Sequence, residues 1–141
     1  MNDRSLTERE AARLWALAYN SHDASVLAPI LAEGVRVMSR WVVNDLIGRD
    51  HYLDYLDRKY ETFERAGSVV RAEIGETPGD VASGGRACVL LEQDGRLLAT
   101  VLFDVVGGLL SQVTLSDHPR PDSCRRSGDY PGFENDVRTV N

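Results

Sequence analysis

The chain has 141 residues, 43% hydrophobic and 27% charged, which suits one globular domain with a core of its own. A net charge of -6 repels phosphate backbones and anionic bilayer surfaces, so no nucleic-acid and no membrane partner is expected. No apolar run approaches the ~20 residues of a membrane helix, and residues 1–5 lack the apolar core of a secretory signal, which implies a cytoplasmic protein.

In chain order, Thr7 and Glu10 stand at capping-box spacing and open a first helix. Its apolar face centres on Ala11, Leu14 and Ala18, with Trp15 and Tyr19 one turn apart on the edge. The helix ends at Asn20-Ser21-His22, and Asp23 caps a short second helix reaching Ala32, kinked at Pro29 and stopped by Gly34. Strict alternation through residues 35–41 gives a strand with Val35, Val37, Ser39 and Trp41 on one face and Arg36 and Arg40 on the other. A short strand at 45–47 leads to Gly48 and a third helix over residues 49–66, striped by Tyr52, Leu53, Leu56, Tyr60 and Phe63. Lys59 borders that stripe and is expected to snorkel outward rather than reach a cavity carboxylate.

A strand over 68–76 precedes a break at Pro78-Gly79-Asp80 and a flexible corner at Ser83-Gly84-Gly85. Three antiparallel strands come next, at 86–93, 96–105 and 109–117, turning at Asp94-Gly95 and Gly107-Gly108. Both pairs suit type I′ turns, whose central residues need positive φ. Residues 1–117 form the domain, and 118–141, rich in proline and charge, form a tail or an overlay. Cys88 in a strand and Cys124 in the tail lack framework spacing and read as reduced thiols.

Two plain two-residue turns would sort the meander into two faces. One carries Val89, Leu91, Leu98, Thr100, Leu102, Val113 and Leu115; the other carries Cys88, Leu90, Leu97, Ala99, Val101, Phe103, Gln112, Thr114 and Ser116. Both are largely apolar, and the helices can cover only one. A second copy of the chain is the simplest cover for the other, giving a homodimer through Val89, Leu91, Leu102, Val113 and Leu115.

The order of elements resembles the nuclear transport factor 2-like (NTF2-like, SnoaL-like) superfamily. The residues that carry the likeness are 15–23 (Trp-Ala-Leu-Ala-Tyr-Asn-Ser-His-Asp), 47–56, and Leu102-Phe103-Asp104 followed by Gly108. The resemblance implies an α+β fold, a cone-shaped, curved, mixed or antiparallel sheet wrapped around the first and third helices, with a ligand cavity inside. Its walls would include Trp15, Tyr19, Val37, Ser39, Trp41, Tyr52, Leu56, Lys59, Cys88, Leu90, Val101, Gln112, Thr114 and Ser116. The catalytic groups of the ketosteroid isomerases do not carry over. Their base falls on Met38 or Ser39, and their oxyanion acid falls on Ala99.

The expected function is binding of an apolar or aromatic small molecule, with Gln112, Thr114 and Ser116 fixing its orientation through hydrogen bonds. The alternatives are a cofactor-free isomerase, cyclase or dehydratase using Tyr19, Asp45 or Lys59, or a non-catalytic dimeric interaction module. His22, His51 and His118 read as structural or solvated. No cluster has metal-ligand spacing, and neither metal nor cofactor is expected. Cys88 reads as inert packing.

Overall fold

The computed structural model describes residues 6–79 and 85–133. Helix α1 (Glu8–Ser21) starts at the expected capping box: the Glu10 amide donates to Thr7 Oγ1 at 3.1 Å, and the Thr7 amide donates to Glu10 Oε1 at 3.0 Å. It buries Ala11, Trp15, Ala18 and Tyr19 and stops at His22, whose φ of 55° ends the helical run. Asp23 caps only a three-residue 3-10 turn (Ala24–Val26), accepting from the Ser25 amide at 3.1 Å. The second helix expected as far as Ala32 does not form. Pro29 has no amide to donate, and the Ile30 carbonyl is taken by the Leu110 amide at 2.7 Å. Strand β1 therefore begins at Leu31 and runs to Ser39, with Gly34 inside it instead of ending a helix.

Strand β2 (Leu46–Ile47) pairs antiparallel with β1, and α2 spans Arg49–Ala66, where the apolar stripe placed it. Then come β3 (Val70–Glu76), β4 (Ala87–Gln93), β5 (Arg96–Val106) and β6 (Leu109–Ser116). A last two-residue strand, β7 (Arg125–Arg126), completes a seven-stranded sheet in the order β2-β1-β6-β5-β4-β3-β7. Only β1 and β6 run parallel. The corner expected at Ser83-Gly84 and the tail beyond 133 lie outside the described residues.

Both meander turns form as expected, with φ of 50° and 85° at Asp94 and Gly95 and of 62° and 80° at Gly107 and Gly108. Beyond each turn, however, the strands depart from plain pairing. Glu92 pairs with Leu97, but Leu91 pairs with Ala99, so Leu98 is an extra residue in β5. Val105 pairs with Leu110, but Asp104 pairs with Gln112, so Ser111 is an extra residue in β6. The Ser111 hydroxyl donates to the Asp104 carbonyl at 3.0 Å and holds that second bulge.

Each bulge shifts the pairing by one residue and so exchanges the faces of the strand beyond it. Ala99, Val101 and Phe103 of β5 point inward as expected, joined by Val89, Leu91, Val113 and Leu115 from the flanking strands. Cys88, Leu90, Gln112, Thr114 and Ser116 are on the outer face. The surface assigned to a second copy thus keeps only Leu102 of its five residues, because Val89, Leu91, Val113 and Leu115 belong to the core side.

The chain covers much of that outer face itself. Residues 119–133 cross β5, β4 and β3, closing over Cys88 and Leu90 with Cys124. Thr100, fully buried, donates to the Pro119 carbonyl at 2.7 Å. Glu73, 2% exposed, accepts from Arg126 Nε at 2.8 Å, the Gly128 amide at 2.7 Å and the Tyr130 hydroxyl at 3.2 Å. Gly75 lets the strap approach closely, since a side chain there would meet Leu90 at 2.9 Å and the Arg125 carbonyl at 3.1 Å. Further along, the Arg71 guanidinium lies over Tyr130 at 4.3 Å, and Asn20 Nδ2 donates to the Pro131 carbonyl at 2.7 Å. Residues 119–133 are an overlay, held by polar groups on a buried carboxylate.

Candidate functional site

Between α1, α2, the loop after β1 and the inner face of the meander opens a cavity of about 670 Å³. Helical spacing explains its first two walls. Trp15 and Tyr19 lie one turn apart on α1, and Tyr52, Tyr55, Leu56, Lys59 and Phe63 recur at three- and four-residue steps on α2. The sheet adds Val37, Ser39, Leu91, Gln93, Leu97, Leu98, Ala99 and Leu115, and the loop adds Trp41, Val42, Asn44 and Asp45.

Aromatic groups set the deep wall. Trp15 and Tyr19 stack with ring centres 4.1 Å apart, and Phe103 packs edge-on to Trp15 at 5.8 Å. The Trp15 indole N–H donates to the Tyr52 hydroxyl at 2.8 Å, which leaves the Tyr52 proton to donate elsewhere. Burial raises the pKa of Tyr52, and although the bond from Trp15 pulls it down, the net shift is upward. Burial, followed by the neighbouring phenols Tyr52, Tyr60 and Tyr55, also raises that of Tyr19. Both therefore stay protonated at neutral pH, which suits neither to the role of a base.

Charge is confined to the mouth and to one flank. Asp45 is paired with Arg36 at 3.1 Å, and His51 is exposed on the first turn of α2. Lys59 is half-buried in the α2 wall, with Nζ 3.4 Å from the Tyr55 hydroxyl and 5.5 Å from the ring centres of both Tyr55 and Phe63. It lines the cavity instead of snorkelling outward. No described carboxylate lies within ion-pair distance of it.

Of the expected ligand-binding residues, Trp15, Tyr19, Ser39, Trp41, Tyr52 and Leu56 meet in this cavity, as do the candidate acid-base groups Tyr19, Asp45 and Lys59. Five others do not. Val101 points inward but is packed into the core, and Cys88 is beneath the tail with Leu90. Gln112, Thr114 and Ser116 are on the outer face, where Gln112 donates to Asp104 Oδ2 at 3.3 Å and Ser116 Oγ accepts from the His118 amide at 3.0 Å. The three polar side chains proposed to orient a ligand are thus outside its reach, displaced by the Ser111 bulge.

Sequence reading missed Tyr55, His51, Asn44, Gln93, Leu91, Leu97, Leu98 and Leu115 as cavity wall. Tyr55 was accessible from the α2 stripe, three residues after Tyr52. Leu91 and Leu115 were hidden by the bulges. The remaining histidines have structural places: His22 ends α1 with its ring stacked on Tyr60 at 5.5 Å, and His118 is exposed after β6. Among the described residues no group of three or more His, Cys, Asp or Glu could hold a metal, and no helix is long and apolar enough to cross a membrane.

No family model matches the sequence, and no curated protein resembles it in sequence. Solved structures do resemble it in fold. A SnoaL-like protein of unknown function from Burkholderia thailandensis superposes with a TM-score of 0.57 at 18% identity, over 86% of this chain and 95% of that one. An NTF2-like protein of unknown function from Cytophaga hutchinsonii gives 0.56 at 12% identity, over 84% and 97%. A candidate ketosteroid isomerase from Kribbella flavida gives 0.55 at 22% identity, over 91% and 85%. The chain has the NTF2-like α+β fold, a curved mixed sheet packed on two helices.

Proposed function

We propose that the protein binds an apolar or aromatic small molecule in the cavity between its two helices and the curved sheet. One observation carries this reading. A cavity of about 670 Å³, walled mainly by aromatic and aliphatic side chains, falls within the ~300–1,000 Å³ usual for small-molecule sites. The few polar groups, chiefly Tyr52, Ser39, Gln93 and Lys59, suit orientation of a ligand more than turnover. Acid-base catalysis as an isomerase, cyclase or dehydratase draws less support. The resemblance puts the isomerases' oxyanion acid at Ala99, which lines the cavity, and the one cavity carboxylate, Asp45, is exposed and paired with Arg36.

Both tryptophans of the chain line the cavity, so intrinsic fluorescence reports its occupancy directly. An environment-sensitive naphthalene dye should bind with energy transfer from Trp15 and Trp41, and competing apolar ligands should displace it. Ala99→Leu, which pushes a side chain from β5 into the cavity, should weaken dye binding while far-UV circular dichroism is unchanged. Dye binding that is equally strong in the variant would sink the cavity as its site.

A further inference from the structure

Lys59 is the chain's only lysine among 16 basic residues, and it stands in the cavity wall. Arginine serves the chain everywhere else, and the described arginines stand mostly in surface ion pairs such as Arg58–Asp54, Arg40–Asp117 and Arg120–Asp122. Lys59 makes no such pair with a described residue. Its ammonium sits between two rings of its own helix, one turn before and one turn after, with a single hydrogen bond to the Tyr55 hydroxyl. Those ring contacts and the neutral phenol leave its positive charge uncancelled. Asp45, the one carboxylate in the cavity, is already engaged by Arg36.

Resting on the cavity-binding reading above, we infer that Lys59 with Tyr55 receives a singly charged oxyanion, and that the natural ligand is an apolar or aromatic body bearing one acidic group. A carboxylate or an ionised phenol fits that description. A phosphate would call for several convergent donors or a helix N-terminus, and the wall at Lys59, in the middle of α2, offers one ammonium and the Tyr55 hydroxyl. The half-buried setting gives the pairing more weight than a surface ion pair, because fewer waters compete for the ammonium. The chain's net charge of -6 provides no long-range attraction for an anion, so selection rests on this one contact.

The test compares isosteres. 2-Naphthoate, its neutral counterpart 2-naphthamide, and an ionised nitronaphtholate are titrated at pH 8 against tryptophan emission. Wild type should bind naphthoate about tenfold more tightly than naphthamide, the ratio expected when one charge-assisted contact is gained. Lys59→Met should equalise the two by weakening naphthoate alone, and Lys59→Arg should keep the preference. In parallel, reductive methylation with ¹³C-formaldehyde labels only Lys59 and the chain's α-amine, and the Lys59 signal should move with naphthoate and stay still with naphthamide. The naphtholate arm decides whether the acidic group is a carboxylate, an ionised phenol or either. Equal binding of naphthoate and naphthamide by wild type, or a Lys59 signal that ignores naphthoate, overturns the assignment but leaves a neutral-ligand cavity standing. If no probe binds, the cavity reading falls with it.

Discussion

The Trp15 indole N–H meets the Tyr52 hydroxyl at 2.8 Å in fully buried surroundings and joins α1 to α2 at the deep wall of the cavity. Tyr52→Phe removes the acceptor and leaves the indole donor unpaired. The expected loss is about 1–3 kcal/mol, the usual cost of orphaning one buried polar group. Denaturant unfolding measures it, and Trp15 emission should shift at the same time. A stability equal to wild type would mean that the cavity supplies the indole with another partner.

Tyr60 presents the opposite case. Its hydroxyl is buried with no hydrogen-bond partner among the described residues, so Tyr60→Phe should be neutral or stabilise by up to ~1 kcal/mol. Burial first, and then nearby Tyr52, Asp57 and Asp23, push its pKa well above the ordinary 10.0. The native chain therefore keeps a proton that the unfolded chain releases. This contribution is fully present below pH 10 and declines as the pH rises past it. Thermal melts from pH 8 to 11 should fall more steeply for wild type than for Tyr60→Phe.

The Ser111 bulge sets which side chains of β6 face the cavity. Ser111→Ala removes its hydrogen bond to Asp104 and should cost roughly 1 kcal/mol without moving a strand. Deletion of Ser111 should cost little more, because Leu110 and Gln112 become neighbours, the pairs Val105–Leu110 and Asp104–Gln112 persist, and Val113 and Leu115 still face inward. In a β6 without the bulge, the same deletion would turn Val113 and Leu115 out, at about 2 kcal/mol or more for the exposed aliphatics alone. Calorimetry of the two variants decides, and a deletion variant melting far below the serine-to-alanine protein would refute the bulge.

Arg126 fastens the C-terminal strap to Glu73, whose carboxylate is buried beneath it. Arg126→Met takes away the only guanidinium among the described residues that bonds Glu73 and should destabilise docking by roughly 1–3 kcal/mol, moderated because the arginine itself is half-exposed. The readout is local. Trypsin should cut after Arg125 well before the domain is digested. Cys88 gives a second signal, since burial and then neighbouring Cys124 push its thiol up to about 12. In wild type, alkylation at pH 8 should be slow, and loosening the strap should speed it. Unchanged rates in both assays would show that Glu73 is dispensable for holding the strap.

How far the sequence could be read depended on the range of the interactions involved. Capping at Thr7, the α2 stripe from Tyr52 to Phe63, and the Asp94-Gly95 and Gly107-Gly108 turns are local patterns, and each produced the element it implied. The helical walls of the cavity came with them, because spacing alone puts Trp15 with Tyr19 and Tyr52 with Leu56. The second helix failed where a local cap at Asp23 competed with a sheet partner that lies at Leu110. The orienting role given to Gln112, Thr114 and Ser116 failed because one residue of bulge exchanges the faces of a strand.

By itself, then, the sequence determined helices α1 and α2, strands β1 to β6 apart from their ends, the two meander turns and the family of folds they resemble, since nearest-neighbour chemistry suffices for these. Tertiary structure alone decided three things. Bulges at Leu98 and Ser111 chose the inner face of the meander, because register is settled by packing across the whole sheet. The buried Glu73 carboxylate drew residues 119–133 over the outer face, through partners some fifty residues distant in the chain. Lys59 was turned from a surface ammonium into a cavity wall group because the sheet and the loop after β1 close around that flank of α2.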